Sequence, residues 1–163
     1  MTLDKDKKIL IVGLGLIGGS YAVALSQNDW EVGAIDPDPQ AIAFAEKTGF
    51  IRHGRTEPEA EYVGKFDIVV FALYPHVLLE WLEKYGPWLR DGALATDVTG
   101  VKSGVVEKAQ ALLFPRVEFI GAHPMAGREV SGVENARADL FRGANYIVTP
   151  TAANTEEAIA CCE

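Results

Sequence analysis

The sequence predicts an α/β fold, a doubly wound and mainly parallel sheet with helices on both faces. Short apolar runs rich in β-branched residues alternate with stretches of helical character along the 163 residues, the alternation that produces parallel sheets. The first run leads directly into a glycine-rich turn and a helix, and the second run ends at an acidic residue. These observations indicate one domain with a substantial core, organised around its first strand.

The first strand and the turn after it predict a dinucleotide site. Residues 9–12 are apolar and suit a strand buried on both faces. The glycines that follow form the pattern G-x-G-x-x-G. In order, they allow a tight turn, close approach of a pyrophosphate, and close packing of the helix predicted over residues 16–26. The free N–H groups at the start of that helix face the phosphates. The predicted cofactor-binding residues of this Rossmann-type turn are Gly13, Gly15, Leu16, Ile17 and Gly18.

Asp36 extends this prediction to the choice of cofactor. It follows the second predicted strand, residues 31–35, at the distance from Gly18 where an acid binds the hydroxyls of an adenosine ribose. A carboxylate repels a 2′-phosphate, and no arginine adjoins Asp36 in the sequence, so NAD is favoured over NADP. The alternatives are an aspartate that only begins a turn, a glycine turn without a ligand, and a membrane span over residues 9–25, which four glycines disfavour.

The remaining elements continue the alternation, with proline, glycine and capping residues at several of their ends. Residues 50–64 are polar and are predicted to form a loop with one helical turn. Thr155 is the predicted N-cap of the last helix. The predicted helices span residues 39–47, 76–85 and 155–163, with one more ending near Leu113 and partial helix over 131–141; the predicted strands span 66–72, 93–97, 117–121 and 145–149.

Charge and cysteine content restrict the partners and the compartment. The net charge of −8 disfavours nucleic acid and anionic membrane surfaces as partners. The two cysteines, Cys161 and Cys162, are adjacent, which is not the spacing of a disulfide framework or a metal site. The charged N-terminus has no apolar signal core. A cytoplasmic location is therefore expected.

The residues that follow each strand are the candidates for chemistry, since ligands bind at the carboxyl ends of the strands in such sheets. His123 is the main acid–base candidate because imidazole exchanges protons near neutral pH, although a structural histidine is the alternative. Tyr74 belongs either to the core or to the nicotinamide site. Residues 97–102 bring together a hydroxyl, a glycine and a lysine, or else cap a helix. His53 and His76 are predicted to be surface or capping residues.

Three segments, in this order and spacing, resemble the prephenate/arogenate dehydrogenases of tyrosine biosynthesis. They are Gly-Leu-Gly-Leu-Ile-Gly-Gly-Ser (13–20), Asp-Val-Thr-Gly-Val-Lys (97–102) and Gly-Ala-His-Pro-Met-Ala-Gly-Arg-Glu (121–129). Many dehydrogenases share the first segment, whereas the other two are much more specific. The resemblance covers nearly the whole chain and implies an NAD-dependent oxidative decarboxylation, in which a ring hydride goes to NAD, a histidine takes the hydroxyl proton and CO2 leaves.

The resemblance also assigns roles to individual residues. By motif match His123 is the proton-accepting histidine, and Thr99 is both a cofactor contact and a catalytic residue. Gly100 and Glu129 lie at the substrate. The family often has serine where this chain has Gly100, so the resemblance leaves Thr99 or Ser103 to supply that hydroxyl. The substrate is prephenate or arogenate. No metal is implied.

The resemblance places the chain within a larger protein. Residues 1–150 are the predicted dinucleotide-binding domain, and residues 151–163 begin a helix that leads to a C-terminal helical domain outside this chain. In the family that domain forms a homodimer and supplies an arginine for the substrate carboxylate, so the chain alone is expected to have little activity. The alternatives are a β-hydroxyacid dehydrogenase of another type and a non-catalytic NAD-sensing module.

Overall fold

The computed structural model describes residues 5–162, which fold as a seven-stranded sheet with helices on both faces. The strands are β1 (Lys8–Val12), β2 (Glu31–Ile35), β3 (His53–Arg55), β4 (Ile68–Phe71), β5 (Leu94–Asp97), β6 (Glu118–Pro124) and β7 (Tyr146–Thr149). The helices are α1 (Leu16–Ser26), α2 (Pro39–Lys47), α3 (Ala60–Val63), α4 (Pro75–Tyr85), α5 (Val105–Leu113) and α6 (Glu156–Cys162), with 3-10 turns at Gly86–Trp88 and Val133–Asn135.

The strand order is β3-β2-β1-β4-β5-β6-β7, in which β1 to β6 are parallel and β7 pairs antiparallel with β6. The chain therefore winds outwards from β1 to β3, returns to β4 beside β1, and winds outwards again on the other side. In such sheets the ligand crevice opens at the carboxyl ends of the strands where the winding reverses. This confirms the predicted fold class and places the crevice at the ends of β1 and β4.

Burial explains why these segments are strands. Alternate side chains of a strand point to opposite faces, so Leu10 and Val12 pack with α4 and α5, whereas Ile9 and Ile11 pack with α1 and α2. Helices α4 and α5 cover one face of the sheet, and their shared core includes Phe71. A smaller cluster of Leu94, Ile120 and Ala158 fixes α6 to the sheet.

The sequence prediction missed β3. This strand is three residues long, lies at the sheet edge and has the sequence His-Gly-Arg, so no apolar run marks it. It forms because Gly54 lies against α2: a Cβ on Gly54 would be 2.7 Å from Ile42 Cγ2. The prediction of a plain loop over residues 50–64 was therefore wrong, although α3 is the helical turn expected there.

Towards the C-terminus the structure refines the predicted elements. The partial helix expected over 131–141 is the single 3-10 turn Val133–Asn135. The Thr155 cap is confirmed, because Ala158 N donates to Thr155 Oγ1 at 3.2 Å. Glu163, the last residue of the predicted helix, lies outside the described residues. No helix among residues 5–162 combines the length and apolarity required to cross a bilayer.

Candidate functional site

Two glycines of the turn after β1, Gly13 and Gly18, are required by the protein itself. Gly13 has a φ of 97°, which favours glycine, and its N–H donates to Ile35 O at 2.8 Å. A Cβ on Gly13 would lie 2.5 Å from Ala72 O, and one on Gly18 would lie 1.8 Å from Gly13 O. These residues therefore allow β1, β4 and α1 to approach one another closely, as the sequence pattern predicts.

Gly15 is different: apart from its two chain neighbours, no atom of the described residues, 5–162, lies within 4 Å of where its Cβ would be. It is exposed and is the N-cap of α1. The first N–H groups of a helix have no acceptor within the helix and carry its positive dipole end. Leu16 is buried and Ile17 is half-buried, so these two residues offer mainly their backbone to the opening. The space beside Gly15 fits the pyrophosphate of a dinucleotide.

Asp36 lies at the end of β2 beside this opening. Its Oδ2 accepts a hydrogen bond from Leu14 N at 2.6 Å and its Oδ1 accepts one from Asp38 N at 2.9 Å. Each carboxylate oxygen has a second lone pair, so both can also accept hydrogen bonds from ribose hydroxyls. Asp36 thus fixes the backbone of the glycine turn and remains available to a ligand.

A pocket of about 510 Å³ opens beside Asp36. Asp38 and Glu134 also line it, so three carboxylates border the place where a 2′-phosphate would project. The sequence prediction missed Glu134, since residues 132–134 lie about a hundred positions from Asp36 and no local pattern connects the two segments. The pocket is lined by Leu14, Gly15, Asp36, Asp38, Gln40, Ala41, Phe44, Gly132, Val133 and Glu134.

The structure also brings Arg55 next to Asp36, which the sequence did not reveal. Asp36 N donates to Arg55 O at 3.1 Å, since β3 runs beside β2. The guanidinium, however, pairs with Glu59 at 3.3 Å and lies over the Tyr62 ring at 4.7 Å. Arg55 is therefore already paired, and the carboxylates dominate the pocket.

Asp97, at the end of β5, is the centre of a second cluster. Its side chain is fully buried, yet it accepts hydrogen bonds at both oxygens. Oδ1 accepts from Lys102 Nζ at 2.5 Å and Ala122 N at 3.1 Å, and Oδ2 accepts from the Thr99 hydroxyl at 2.5 Å and Thr99 N at 3.2 Å. Lys102 Nζ also donates to Ala122 O. Burial lowers the pKa of Lys102, and the adjacent Asp97 opposes that shift.

His123 lies at the carboxyl end of β6, directly after this cluster. Its ring contacts Gly100: a Cβ built on Gly100 would be 3.2 Å from Cε1 and 3.4 Å from Nε2. The residue is half-buried, and its ring forms no hydrogen bond within residues 5–162. The imidazole is thus held by packing, and its nitrogens are available to a ligand in the crevice.

The other predicted residues around the crevice have varied surroundings. The Thr99 hydroxyl is buried and donates to Asp97, so its proton is already used, and Ser103 is exposed. Glu129 is exposed in the segment after β6. Tyr74 is 76% exposed at the N-cap of α4, which rules out a core position, and its ring lies parallel to that of His76.

The remaining histidines are exposed, as expected: His53 in β3 and His76 in α4. Within residues 5–162 there is no group of three or more His, Cys, Asp or Glu side chains placed to hold a metal ion.

A separate apolar cavity of about 370 Å³ lies on the sheet face that carries α1 and α6. The Tyr21 hydroxyl donates to the Tyr146 hydroxyl at 3.0 Å there. Burial raises the pKa of Tyr21 and raises that of Cys162 to about 12, so both groups remain neutral at physiological pH. Among the described residues, 5–162, no charged side chain lines this cavity, whereas the crevice at the strand ends has both charge and a free imidazole.

Comparison with known proteins gives a consistent family. The family model described as "Prephenate dehydrogenase, nucleotide-binding domain" matches residues 22–163. The prephenate dehydrogenase of Lactococcus lactis subsp. cremoris is 39% identical over 149 residues, which are 88% of this chain and 41% of that protein. The chain thus spans less than half the length of this curated relative.

Solved structures agree in fold and in family. A crystal structure of prephenate dehydrogenase from A. aeolicus, in complex with hydroxyphenyl propionate and NAD+, has a TM-score of 0.87 and 30% identity, covering 98% of this chain and 56% of that one. Synechocystis arogenate dehydrogenase has a TM-score of 0.87 and 31% identity, covering 94% and 54%. The chain belongs to the prephenate dehydrogenase family and corresponds to its nucleotide-binding domain.

Proposed function

We propose that this member of the prephenate dehydrogenase family binds NAD(H) through the glycine turn and Asp36. The open space at Gly15, the N-terminus of α1 and the two acceptor oxygens of Asp36 fit the pyrophosphate and ribose of the dinucleotide. The solved A. aeolicus relative, whose fold this chain shares, is in complex with NAD+. When bound, the nicotinamide accepts a hydride from the substrate. Tyr74, exposed at the N-cap of α4, and Thr99 complete the proposed cofactor contacts.

The proposed reaction is the oxidative decarboxylation of prephenate or arogenate. His123 accepts the proton of the ring hydroxyl, which raises the electron density that expels the hydride from the same carbon. The ring carboxylate leaves as CO2, and its bonding electrons complete the aromatic ring. Gly100 and Glu129 are the proposed substrate-side residues. The observation that carries this proposal is the half-buried His123 ring, which packs on Gly100 and forms no hydrogen bond with the rest of residues 5–162. It lies at the carboxyl ends of the strands, as the glycine turn does.

The proposal extends to the complete protein. Residues 1–150 form the dinucleotide-binding domain, and residues 151–163 lead to a C-terminal helical domain that forms a homodimer and binds the substrate carboxylate. The greater length of the relatives supports this division, since the chain spans 41% of the L. lactis protein. A cytoplasmic enzyme acting on a small molecule, without nucleic-acid or membrane partners, is consistent with the net charge of −8.

The test is formation of NADH by the complete protein with NAD+ and prephenate or arogenate, followed by absorbance. Turnover of either substrate supports the proposal, and the ratio of the two kcat/KM values identifies the preferred one. The isolated chain of 163 residues should bind NADH, yet turn over slowly, because substrate positioning contributes several kcal/mol, up to about 7–11, to lowering a barrier. Failure of the complete protein to turn over either substrate contradicts the assigned reaction.

A further inference from the structure

Both backbone polar groups of Ala122, the residue before His123, are bound by one buried ion pair. Ala122 N donates to Asp97 Oδ1 at 3.1 Å, and Ala122 O accepts from Lys102 Nζ. Lys102 Nζ is in turn 2.5 Å from the same Oδ1. The backbone ladder between β5 and β6 ends at Thr96 and Ile120. The ion pair therefore continues the connection between these strands beyond the last backbone pairing, up to the peptide that carries His123.

The same ion pair shapes the loop that touches the imidazole. Thr99 is bound to Asp97 through its N–H and its hydroxyl, and Lys102 is bound to Asp97 through its ammonium group. Gly100 lies between these two attachment points and contacts the His123 ring. The loop position that packs on the ring is thus fixed from both sides by a single carboxylate.

Lys102 also reaches the face of β6 that carries His123. A Cβ on Gly121 would be 3.3 Å from Lys102 Cδ, so the lysine stem passes over Gly121. Residues two apart in a strand share a face, so this stem lies on the side of the sheet to which His123 projects. The side chain is only 17% exposed. It is therefore mostly buried on the face of β6 to which His123 also projects.

We propose that Asp97 and Lys102 are positioning residues for His123, which fix both its peptide and the Gly100 contact that holds its ring. The inference rests on the proposed reaction and deepens it. Burying an ion pair costs desolvation free energy that an apolar pair of similar size avoids, so this pair is a poor device for stability alone. The ion pair forms four further hydrogen bonds, two with Thr99 and two with the backbone of Ala122. Both residues belong to the segments that border His123.

An ion pair at the opposite, amino end of the strands provides the control. Asp67 precedes β4, is 8% exposed, and accepts hydrogen bonds from Lys8 N at 2.9 Å and from Arg90 at 2.6 Å. It resembles Asp97 in burial, in pairing with a cation and in binding the backbone of a neighbouring strand. It differs in lying at the amino end of the strand, far from His123. Lys7 Nζ is a second partner of Asp67 at 3.7 Å. Arg90→Met therefore removes the nearer of two cations from a buried carboxylate, and Arg90 is 54% exposed whereas Lys102 is 17% exposed.

The experiment compares Lys102→Met and Arg90→Met in the complete protein, measuring kcat, the NADH dissociation constant and Tm. Lys102→Met should lower kcat by about 10²-fold, the cost of a displacement of about 1 Å at a reacting group, and leave NADH affinity unchanged. Arg90→Met should lower Tm and leave kcat unchanged. If Lys102→Met does not fold because Asp97 is left unpaired, Asp97→Asn/Lys102→Met takes its place. The Asn oxygen still accepts from Ala122 N and its amide NH2 replaces the oxygen that accepts from Thr99, whereas Ala122 O loses its donor.

The outcomes separate this inference from the proposed reaction. Loss of kcat at unchanged NADH affinity, confined to the Lys102 variants, supports a positioning role. Equal kcat in the Lys102 and Arg90 variants overturns it, and so does a parallel loss of NADH affinity, which indicates collapse of the whole crevice. Inactivity of the unmodified protein with both substrates overturns the proposed reaction and, with it, this inference.

Discussion

Gly100 and His123 are in contact across the ends of β5 and β6, so that a Cβ on Gly100 would lie 3.2 Å from the imidazole Cε1. That distance is tighter than ordinary van der Waals contact, and the ring would have to move by a few tenths of an ångström to accept a side chain. The absence of a side chain at position 100 therefore sets where the imidazole stands.

Gly100→Ala should consequently displace the His123 ring and lower kcat by about tenfold, less than the 10² associated with a 1 Å displacement. Gly127→Ala is the matched control, because no atom lies within 4 Å of its Cβ position, and it should retain kcat. Steady-state kinetics of the two variants compare their kcat values directly. Equal kcat values would show that the ring adapts to a methyl group without loss.

Replacing His123 tests its role as the base. His123→Asn should lower kcat by about 10²–10⁴, the usual contribution of a general base, with little change in NADH affinity because the glycine turn is untouched. His53→Asn, on the exposed edge strand β3, controls for loss of a histidine elsewhere. A His123→Asn protein with normal kcat would remove the residue from the mechanism.

Alanine at two positions of the glycine turn should have opposite effects on stability and on NADH binding. Gly18→Ala places a Cβ 1.8 Å from Gly13 O and should destabilise the fold by about 3 kcal/mol, as overpacking does. Gly15→Ala meets no protein atom, so stability should be retained while NADH binding weakens, because the methyl group occupies the space of the pyrophosphate. Thermal melts and calorimetric titration separate the two effects. Unchanged NADH affinity in Gly15→Ala would place the pyrophosphate elsewhere.

Asp36 should control the choice between NADH and NADPH. Asp36→Asn removes the charge and one of the two backbone hydrogen bonds that the carboxylate accepts. Because the lost hydrogen bond affects both cofactors alike, the preference for NADH should narrow by about tenfold, equivalent to about 1.4 kcal/mol of repulsion. Asp38 and Glu134 remain in the pocket, so the preference should not reverse. Asp29→Asn removes the same charge at a distance from this pocket and should change neither affinity. Calorimetry that finds equal NADH and NADPH binding to the unmodified chain contradicts the assignment.

Cys162 should be an unreactive thiol, and at alkaline pH it should lower the free energy of unfolding. Burial raises its pKa from 9.0 to about 12, so between these values the folded thiol keeps a proton that the unfolded thiol loses. The free energy of unfolding should therefore fall as pH rises through this range. Urea unfolding of the native and Cys162→Ala proteins, at pH values below and within the range, should show a smaller decline for the variant. Rapid alkylation of the folded protein at neutral pH would contradict the raised pKa of this half-buried thiol.

The sequence predicted the parts of the fold that depend on local patterns. Residues 8–36 form β1, α1 and β2 as expected, because apolar runs and glycines mark them directly. The edge strand β3 was missed because its three residues are polar and form a strand through contacts with α2 and β2. A pattern read along the chain does not contain such pairings.

In the candidate site, too, the sequence predicted the residues that motifs mark and missed the contacts between distant segments. His123 and the glycine turn were found because motifs mark them. The approach of Glu134 and Arg55 to Asp36 depends on segments brought together by folding. The hydrogen bond from Thr99 to Asp97 is equally a matter of side-chain orientation, which spacing does not reveal. Residue identity thus indicated the chemistry, and only the folded chain shows which groups are already paired.

The strand order places residues 13–36 and residues 97–123 on opposite sides of β4. Each of these stretches is continuous in the chain, and each carries one half of the crevice. A gene segment that encodes the first stretch therefore carries the glycine turn and Asp36, and one that encodes the second carries Gly100 and His123, while Glu134 of the cofactor pocket lies outside both. Under the proposed function, a recombination junction in the segment around β4 therefore exchanges Asp36 between relatives without exchanging His123.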